Sequence, residues 1–222
     1  MKMIKKVLIA EDHEIVNISV QKTLEDLNIT DVQYAAYCDE ALLKIQRELQ
    51  RNQSYDLLIT DLYFEKDHIP QQLSGGEDLI AAARQVQPDL KILVFSAENK
   101  PAVIEKLHGH DIDGYVRKAR NDSRELKQAL ETIGKNLRYF PRQLMQGVKQ
   151  MNAHDFTSYD IIIITLLSQG IRQKDMPECL KEKKITPSGL SSIEKRLNTI
   201  KESLGVGNNE QLVAFCKDNG II

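Results

Sequence analysis

Five short runs of nearly apolar residues punctuate the first half of the chain: KVLIA (6–10), VQYAAY (32–37), DLLIT (56–60), KILVFSA (91–97) and DGYVRKA (113–119). A strand with one wet face alternates apolar and polar residues, whereas a strand that stays apolar along its length has both faces covered. The segments between these runs carry apolar residues at helical spacing. Ile15, Val16, Val20 and Leu24 follow the first run; DEALLKIQREL (39–49), GGEDLIAAARQV (75–86) and AVIEKLHGH follow the next three. Strands that alternate with helices in this way predict an α/β unit, a parallel sheet with helices on both faces. Asp39 stands where the N-cap of the second helix is expected.

The pattern then changes. Residues 132–154 contain Lys135, Arg138, Arg142 and Lys149 with no Asp or Glu, and Pro141 interrupts the helical spacing. This stretch reads as the end of a helix plus a connecting segment. From 155 onward only helical patterns remain. FTSYDIIIITLLSQG opens on a Thr cap and stops at Gly170; RQKDMPECLKEKK is a second helix with an irregularity expected near Pro177. TPSGLSSIEKRLNTIKESLGV puts apolar residues at 190, 193, 197, 200 and 204, one face of a third helix, and NNEQLVAFCKDNG is a fourth, ending at Gly220. A chain of 222 residues divides more readily into two cores than one, so we expect domains at 1–131 and 155–222 joined by a linker at 132–154.

Composition excludes several classes. No apolar run reaches 18 residues, so no membrane span is expected. The start, MKMIKKVLIAEDHE, has too short an apolar stretch for a secretory signal. Cys38, Cys179 and Cys216 are scattered and odd in number, which suits a reducing cytoplasm and packed small side chains.

Ligands of an open parallel sheet bind beyond the carboxyl ends of its strands. There the first strand delivers Glu11 and Asp12, the third Asp61, the fourth Ser96 and the fifth Lys118. Three crowded carboxylates repel one another unless a cation intervenes, and hard oxygen donors suit Mg²⁺. A hydroxyl and an ammonium opposite them complete a cradle for a phosphoryl group.

VLIAEDH, LLITDL, VFSA and GYVRKA resemble the receiver domain of two-component response regulators over roughly residues 1–130. The resemblance implies a flavodoxin-like fold, a five-stranded parallel sheet of order 2-1-3-4-5. It makes Asp61 the phosphoacceptor for a sensor histidine kinase, and Glu11, Asp12, Asp61 and the Tyr63 carbonyl the Mg²⁺ ligands. Ser96 becomes the switch hydroxyl, Tyr115 the switch aromatic, and Lys118 the partner of the phosphoryl group. The receiver then has no activity beyond its own phosphorylation and slow autodephosphorylation. In the family, the inward turn of the aromatic changes the face formed by the fourth helix and fifth strand. The loop DLYFEKDHIPQQLSGGEDL departs from the family: it is several residues longer than usual, with Phe64-Glu65 in place of Met-Pro, and Asp67 and His68 read as solvated.

Residues 156–222 resemble the all-α, four-helix LuxR-type helix-turn-helix domain of NarL/FixJ-type response regulators. This implies a DNA-binding output, cytoplasmic transcription control and a homodimer on activation, with Leu212, Val213 and Phe215 of the last helix as the dimer face or as domain core. Lys174, Lys183, Lys184, Ser191, Ser192, Lys195, Arg196 and Lys201 are the expected contacts to duplex DNA. Glu194 stands where the family usually has Lys, and residues 155–222 carry nine Lys/Arg and nine Asp/Glu, an unusual balance for a DNA binder. A phospho-switched protein-interaction module is therefore the alternative. A haloacid-dehalogenase-like phosphatase fits poorly, because Tyr63 occupies the place of its second Asp.

Overall fold

The computed structural model describes residues 4–120 and 122–222. It divides into two compact units, one running to Asn99 and resuming over Val103–Arg142, the other formed by Lys100–Ala102 and Gln143–Ile222.

In the first unit β1 (Lys6–Ala10), β2 (Asp31–Ala35), β3 (Leu57–Thr60), β4 (Lys91–Ser96) and β5 (Gly114–Arg117) form one sheet in the order β2-β1-β3-β4-β5. Every pair is parallel. The helices are α1 (Glu14–Glu25), α2 (Cys38–Gln50), α3 (Gly76–Val86), α4 (Pro101–Gly109) and α5 (Asp122–Gly134). Side chains alternate across the sheet, and both faces are dry except along the edge strand β2, where only Ala35 is buried. Val7, Ile9, Leu57, Ile59, Leu93, Phe95 and Val116 meet Val20 and Leu24 of α1 and Leu126, Leu130 and Ile133 of α5. Leu8, Leu58, Ile92 and Val94 are equally buried on the opposite face. Each such aliphatic side chain contributes about 1.5–3 kcal/mol on burial, which explains why these strands carry few polar residues.

The ladder continues one residue past the strand ends. Glu11 N–H donates to Ala35 O at 3.0 Å, Asp61 N–H to Ala10 O at 3.1 Å, and Lys118 N–H to Ser96 O at 2.8 Å. Backbone pairing thus sets the register of three of the polar residues at the sheet's carboxyl edge.

Asp39 is not the N-cap of α2. Tyr37 holds that position without a side-chain bond, and Asp39 lies in the first turn. Its carboxylate accepts from the backbone N–H groups of Gln72 and Leu73 at 2.7 and 2.9 Å. The long loop claims it, a connection between residues more than thirty apart that local sequence does not announce. After α5 the chain forms a parallel bridge between Tyr139 and Gly114, and the connecting segment then holds a further helix, α6 (Arg142–Met151).

The second unit continues with α7 (Ser158–Ser168), a 3₁₀ turn (Gln173–Asp175), α8 (Met176–Glu182), α9 (Leu190–Leu204) and α10 (Asn209–Asp218). Thr157 and Asp160 form a reciprocal capping box at the start of α7. Gly170 follows α7 at φ +83°, the left-handed stop its position implies. Pro177 falls in the first turn of α8, where its missing N–H is tolerated, and the irregularity is the 3₁₀ turn ahead of it. Ile193, Leu197, Ile200 and Leu204 of α9 pack with Ile163, Ile164, Met176, Leu180, Leu212 and Cys216. Leu190, the first residue of α9, is exposed. Gly189 caps α9 in an extended conformation open to any residue. Leu212 belongs to the core, with Val213 and Phe215 packed half-buried against it. Among the described residues no helix is long and apolar enough to cross a membrane.

Candidate functional site

The sheet's carboxyl edge brings Glu11, Asp61 and Lys118 into one ion cluster. Lys118 Nζ lies 2.6 Å from Glu11 Oε2 and 2.6 Å from Asp61 Oδ2. Glu11 is 2% exposed and Asp61 7%. Burial raises the Glu11 carboxyl above its ordinary pKa, against the lowering effect of Lys118. Burial also opposes the Lys118 ammonium, but its bonds to Asp61 and Glu11 outweigh that, and its pKa is raised. The other oxygen of Asp61 accepts from the Leu62 N–H at 2.6 Å, with the Tyr63 N–H at 3.5 Å.

Asp12 sits at the rim. One oxygen is 2.8 Å from His13 Nδ1, and the other accepts from the Glu65 N–H at 2.6 Å. Donor atoms of Glu11, Asp12 and His13 all lie within 4.8 Å of one another. Two carboxylates at that separation, beside a third with one ammonium between them, fit a small hard cation, and the oxygen-rich donor set matches Mg²⁺.

Glycine holds the loop after β3 in place. A Cβ on Gly76 would stand 1.9 Å from the Asp61 carbonyl oxygen, so only glycine lets the first turn of α3 press against the backbone of Asp61. The long loop folds back toward the start of α2, while Asp67 and His68 stay exposed, as expected of solvated residues. Asp67 accepts from the Tyr37 hydroxyl at 2.7 Å, and Tyr37, Cys38, Phe64, Ile69, Pro70 and Leu73 help line a cavity of about 280 Å³ beneath it.

Ser96 is fully buried, and among the described residues its Oγ has no hydrogen-bond partner. Such an orphaned hydroxyl costs about 1–3 kcal/mol until a partner arrives. Tyr115 is also fully buried, and its hydroxyl donates to the Glu98 carbonyl at 2.6 Å. The Tyr63 ring reaches the Glu98 carboxylate with its hydroxyl at 2.5 Å. The sequence did not single out His13 or Glu98, and it marked Glu65 only as a departure from the family's loop. His13 and Glu98 each lie within two residues of a named group, but nothing in their spacing marks them; Glu65 enters through its backbone.

In the second unit the residues expected to touch DNA fall into two sets. Lys174, Lys183, Lys184, Ser191, Ser192 and Lys195 are exposed, and Lys201 is half-buried. At about 100° per residue, Ser191 and Lys195 lie opposite the Ile193–Leu197–Ile200 core stripe, while Arg196 and Lys201 occupy opposite flanks of α9. Arg196 is already engaged: its Nε and a terminal nitrogen lie 2.6 and 2.7 Å from the two oxygens of Asp160. That carboxylate is completely buried, also accepts from the Thr157 N–H at 2.9 Å, and has His154 Nε2 at 3.3 Å. Burial works against the charged form, but these bonds prevail and hold Asp160 down at about 2.

Residues 7–131 match the response regulator receiver domain family. The chain belongs to this family. Transcriptional regulatory protein RcsB of Escherichia coli (strain K12) is 24% identical over 214 residues, covering 94% of this chain and 92% of RcsB. A structure of RcsB from Salmonella typhimurium, described for its conformational dynamism for DNA interaction, has a TM-score of 0.70 at 23% identity and covers 96% of this chain and 99% of that one. A structure of two RcsB dimers bound to two parallel DNAs has a TM-score of 0.63 at 24% identity and covers 96% of this chain and 98% of that one. The receiver comes first and the helical unit second, and the likeness to RcsB runs over both.

Proposed function

We propose that this response regulator controls transcription through phosphorylation of Asp61, with receiver, linker and output at 1–131, 132–154 and 155–222. The observation that carries the reading is the buried Glu11–Lys118–Asp61 cluster at the sheet edge. Asp61 attacks the phosphorus of a kinase phosphohistidine, a P–O bond forms as the P–N bond breaks, and the imidazole leaves. Glu11, Asp12, Asp61 and the Tyr63 carbonyl are the groups that would hold Mg²⁺, which offsets the negative charge of the acids and the transferring group. Lys118 exchanges its carboxylate partners for phosphoryl oxygens, and the buried Ser96 hydroxyl gains the acceptor it lacks. Tyr115, already turned inward, is the aromatic whose packing follows Ser96. The protein turns over no external substrate, and it works in the cytoplasm.

The output is a duplex-DNA binder. Ser191, Ser192 and Lys195 face outward from α9, with Lys174, Lys183, Lys184 and Lys201 around them for phosphate contact. RcsB is named a transcriptional regulatory protein and has been seen as dimers on DNA, and we assign this chain the same kind of partner and a dimer on activation. Arg196 supports α9 through Asp160.

Incubation with acetyl phosphate and Mg²⁺ is expected to add one phosphoryl group that peptide mapping places on Asp61. Asp61→Asn is expected to take up none. Undiminished labelling of that variant, with the group mapped elsewhere, would refute the assignment.

A further inference from the structure

The strand that carries Tyr115 and leads into Lys118 is an edge strand, and the chain's own connecting segment covers it. Tyr139 N–H donates to Asp113 O at 3.0 Å, and Tyr115 N–H donates to Tyr139 O at 2.8 Å. The Tyr139 ring packs on the core formed with α5, and the Phe140 ring lies 5.2 Å from that of His108 on α4. Arg138 pairs with Asp111, just after α4. Residues 138–140 therefore form a strap over β5 and the end of α4, from which the chain passes through Pro141 directly into α6.

The fit is close. A Cβ on Gly114 would stand 3.2 Å from Tyr139 O and 3.0 Å from side-chain atoms of Ile133 and Leu93, so the strap lies against bare backbone. Tyr115 is fastened at both ends: its amide holds the strap, and its hydroxyl holds the Glu98 carbonyl beyond β4. Three residues on, Lys118 holds Asp61. One short strand thus links the phosphoryl site to the segment that leads out of the receiver.

We infer that the 138–140 strap reads the state of Asp61, and that phosphorylation loosens it from β5. The inference rests on Asp61 being the phosphoacceptor. A phosphoryl group draws Lys118 from Glu11 and gives Ser96 a partner, shifting the ends of β4 and β5. Two backbone hydrogen bonds and a tight register at Gly114 leave the strap little tolerance for that shift. Released, residues 138–140 free the connection to α6, and a local electrostatic event becomes a change in the linker.

The test uses the full chain, labelled with ¹⁵N, with and without beryllofluoride and Mg²⁺. Fluorine NMR reports whether beryllofluoride is bound, and amide exchange is read at Tyr139 and Tyr115. With the bound fluorine signal present, exchange at both amides is expected to rise about tenfold, the mark of a local opening. By linkage, Phe140→Ala, which weakens the strap outside the active site, is expected to bind beryllofluoride several-fold more tightly. A bound fluorine signal with exchange unchanged or slowed would overturn the strap while leaving Asp61 as the acceptor. Unchanged or weaker affinity in Phe140→Ala would count against it equally. Absence of a bound signal would remove the phosphoacceptor reading, and the strap's role with it.

Discussion

Replacement of Lys118 by methionine is expected to lower the stability of the receiver unit by about 3 kcal/mol at neutral pH, the usual cost of stripping a buried carboxylate of its partner. Here two carboxylates lose the same ammonium: the side chains of Glu11 and Asp61 are 3% and 9% exposed, with Lys118 2.6 Å from each. The melting temperature should fall by roughly 10 °C. The pH dependence fixes the cause. Glu11 already has a raised pKa through burial, so its folded form holds a proton more tightly than its unfolded form. That penalty is complete above the raised pKa and is relieved as pH falls toward the ordinary carboxylate range. Without Lys118 the penalty grows, so the gap between variant and wild type should narrow on acidification. Mg²⁺ should narrow it too, by returning positive charge to the cluster. A variant as stable as wild type at pH 7, or a gap that widens in acid, would contradict this account of the site.

Arg196→Ala is expected to destabilise the output unit by about 3 kcal/mol, because it leaves the fully buried Asp160 without its guanidinium. Asp160 sits at about 2 against an ordinary 3.8. A depressed pKa contributes stability above the unfolded value and loses it as pH falls through the folded one. The wild-type unit should therefore give up about 2 kcal/mol between pH 4 and pH 2. In the variant that acid-sensitive loss should be blunted. The competing role, a DNA phosphate contact, makes a different forecast: unchanged thermal stability, and a salt dependence of DNA binding weaker by about one unit of slope. Melting followed by circular dichroism, with the salt slope measured on the same variant, separates the two.

The strands were legible because an apolar run five residues long has few uses besides a covered strand, and because their polar ends fall at one edge of a parallel sheet. That edge is where Glu11, Asp61, Ser96 and Lys118 lie, and backbone pairing carries three of them into register. Asp39 was misplaced for a physical reason. A short acid beside a helix start caps it by default, but the folded-back loop offers two backbone N–H groups to the same carboxylate. The Tyr37–Asp67 bond, the Asp160–Arg196 pair and the Tyr139 strap join residues twenty-five to thirty-six apart, and periodicity carries no information at that range. Arg196 illustrates the limit: on a helical wheel it is one more basic residue beside Lys195, and only the buried acid 36 residues earlier separates their roles.

If phosphorylation of Asp61 gates binding to duplex DNA, as proposed, DNA affinity measured as a function of salt before and after beryllofluoride and Mg²⁺ will show it. Beryllofluoride stands in for the phosphoryl group. Activation should strengthen binding, affinity should fall by about 0.9 log units per tenfold rise in salt for each phosphate neutralised, and one genomic sequence should be preferred over random duplex. Bound beryllofluoride with no salt-sensitive DNA binding would contradict it, and would make the output a module that recognises another protein.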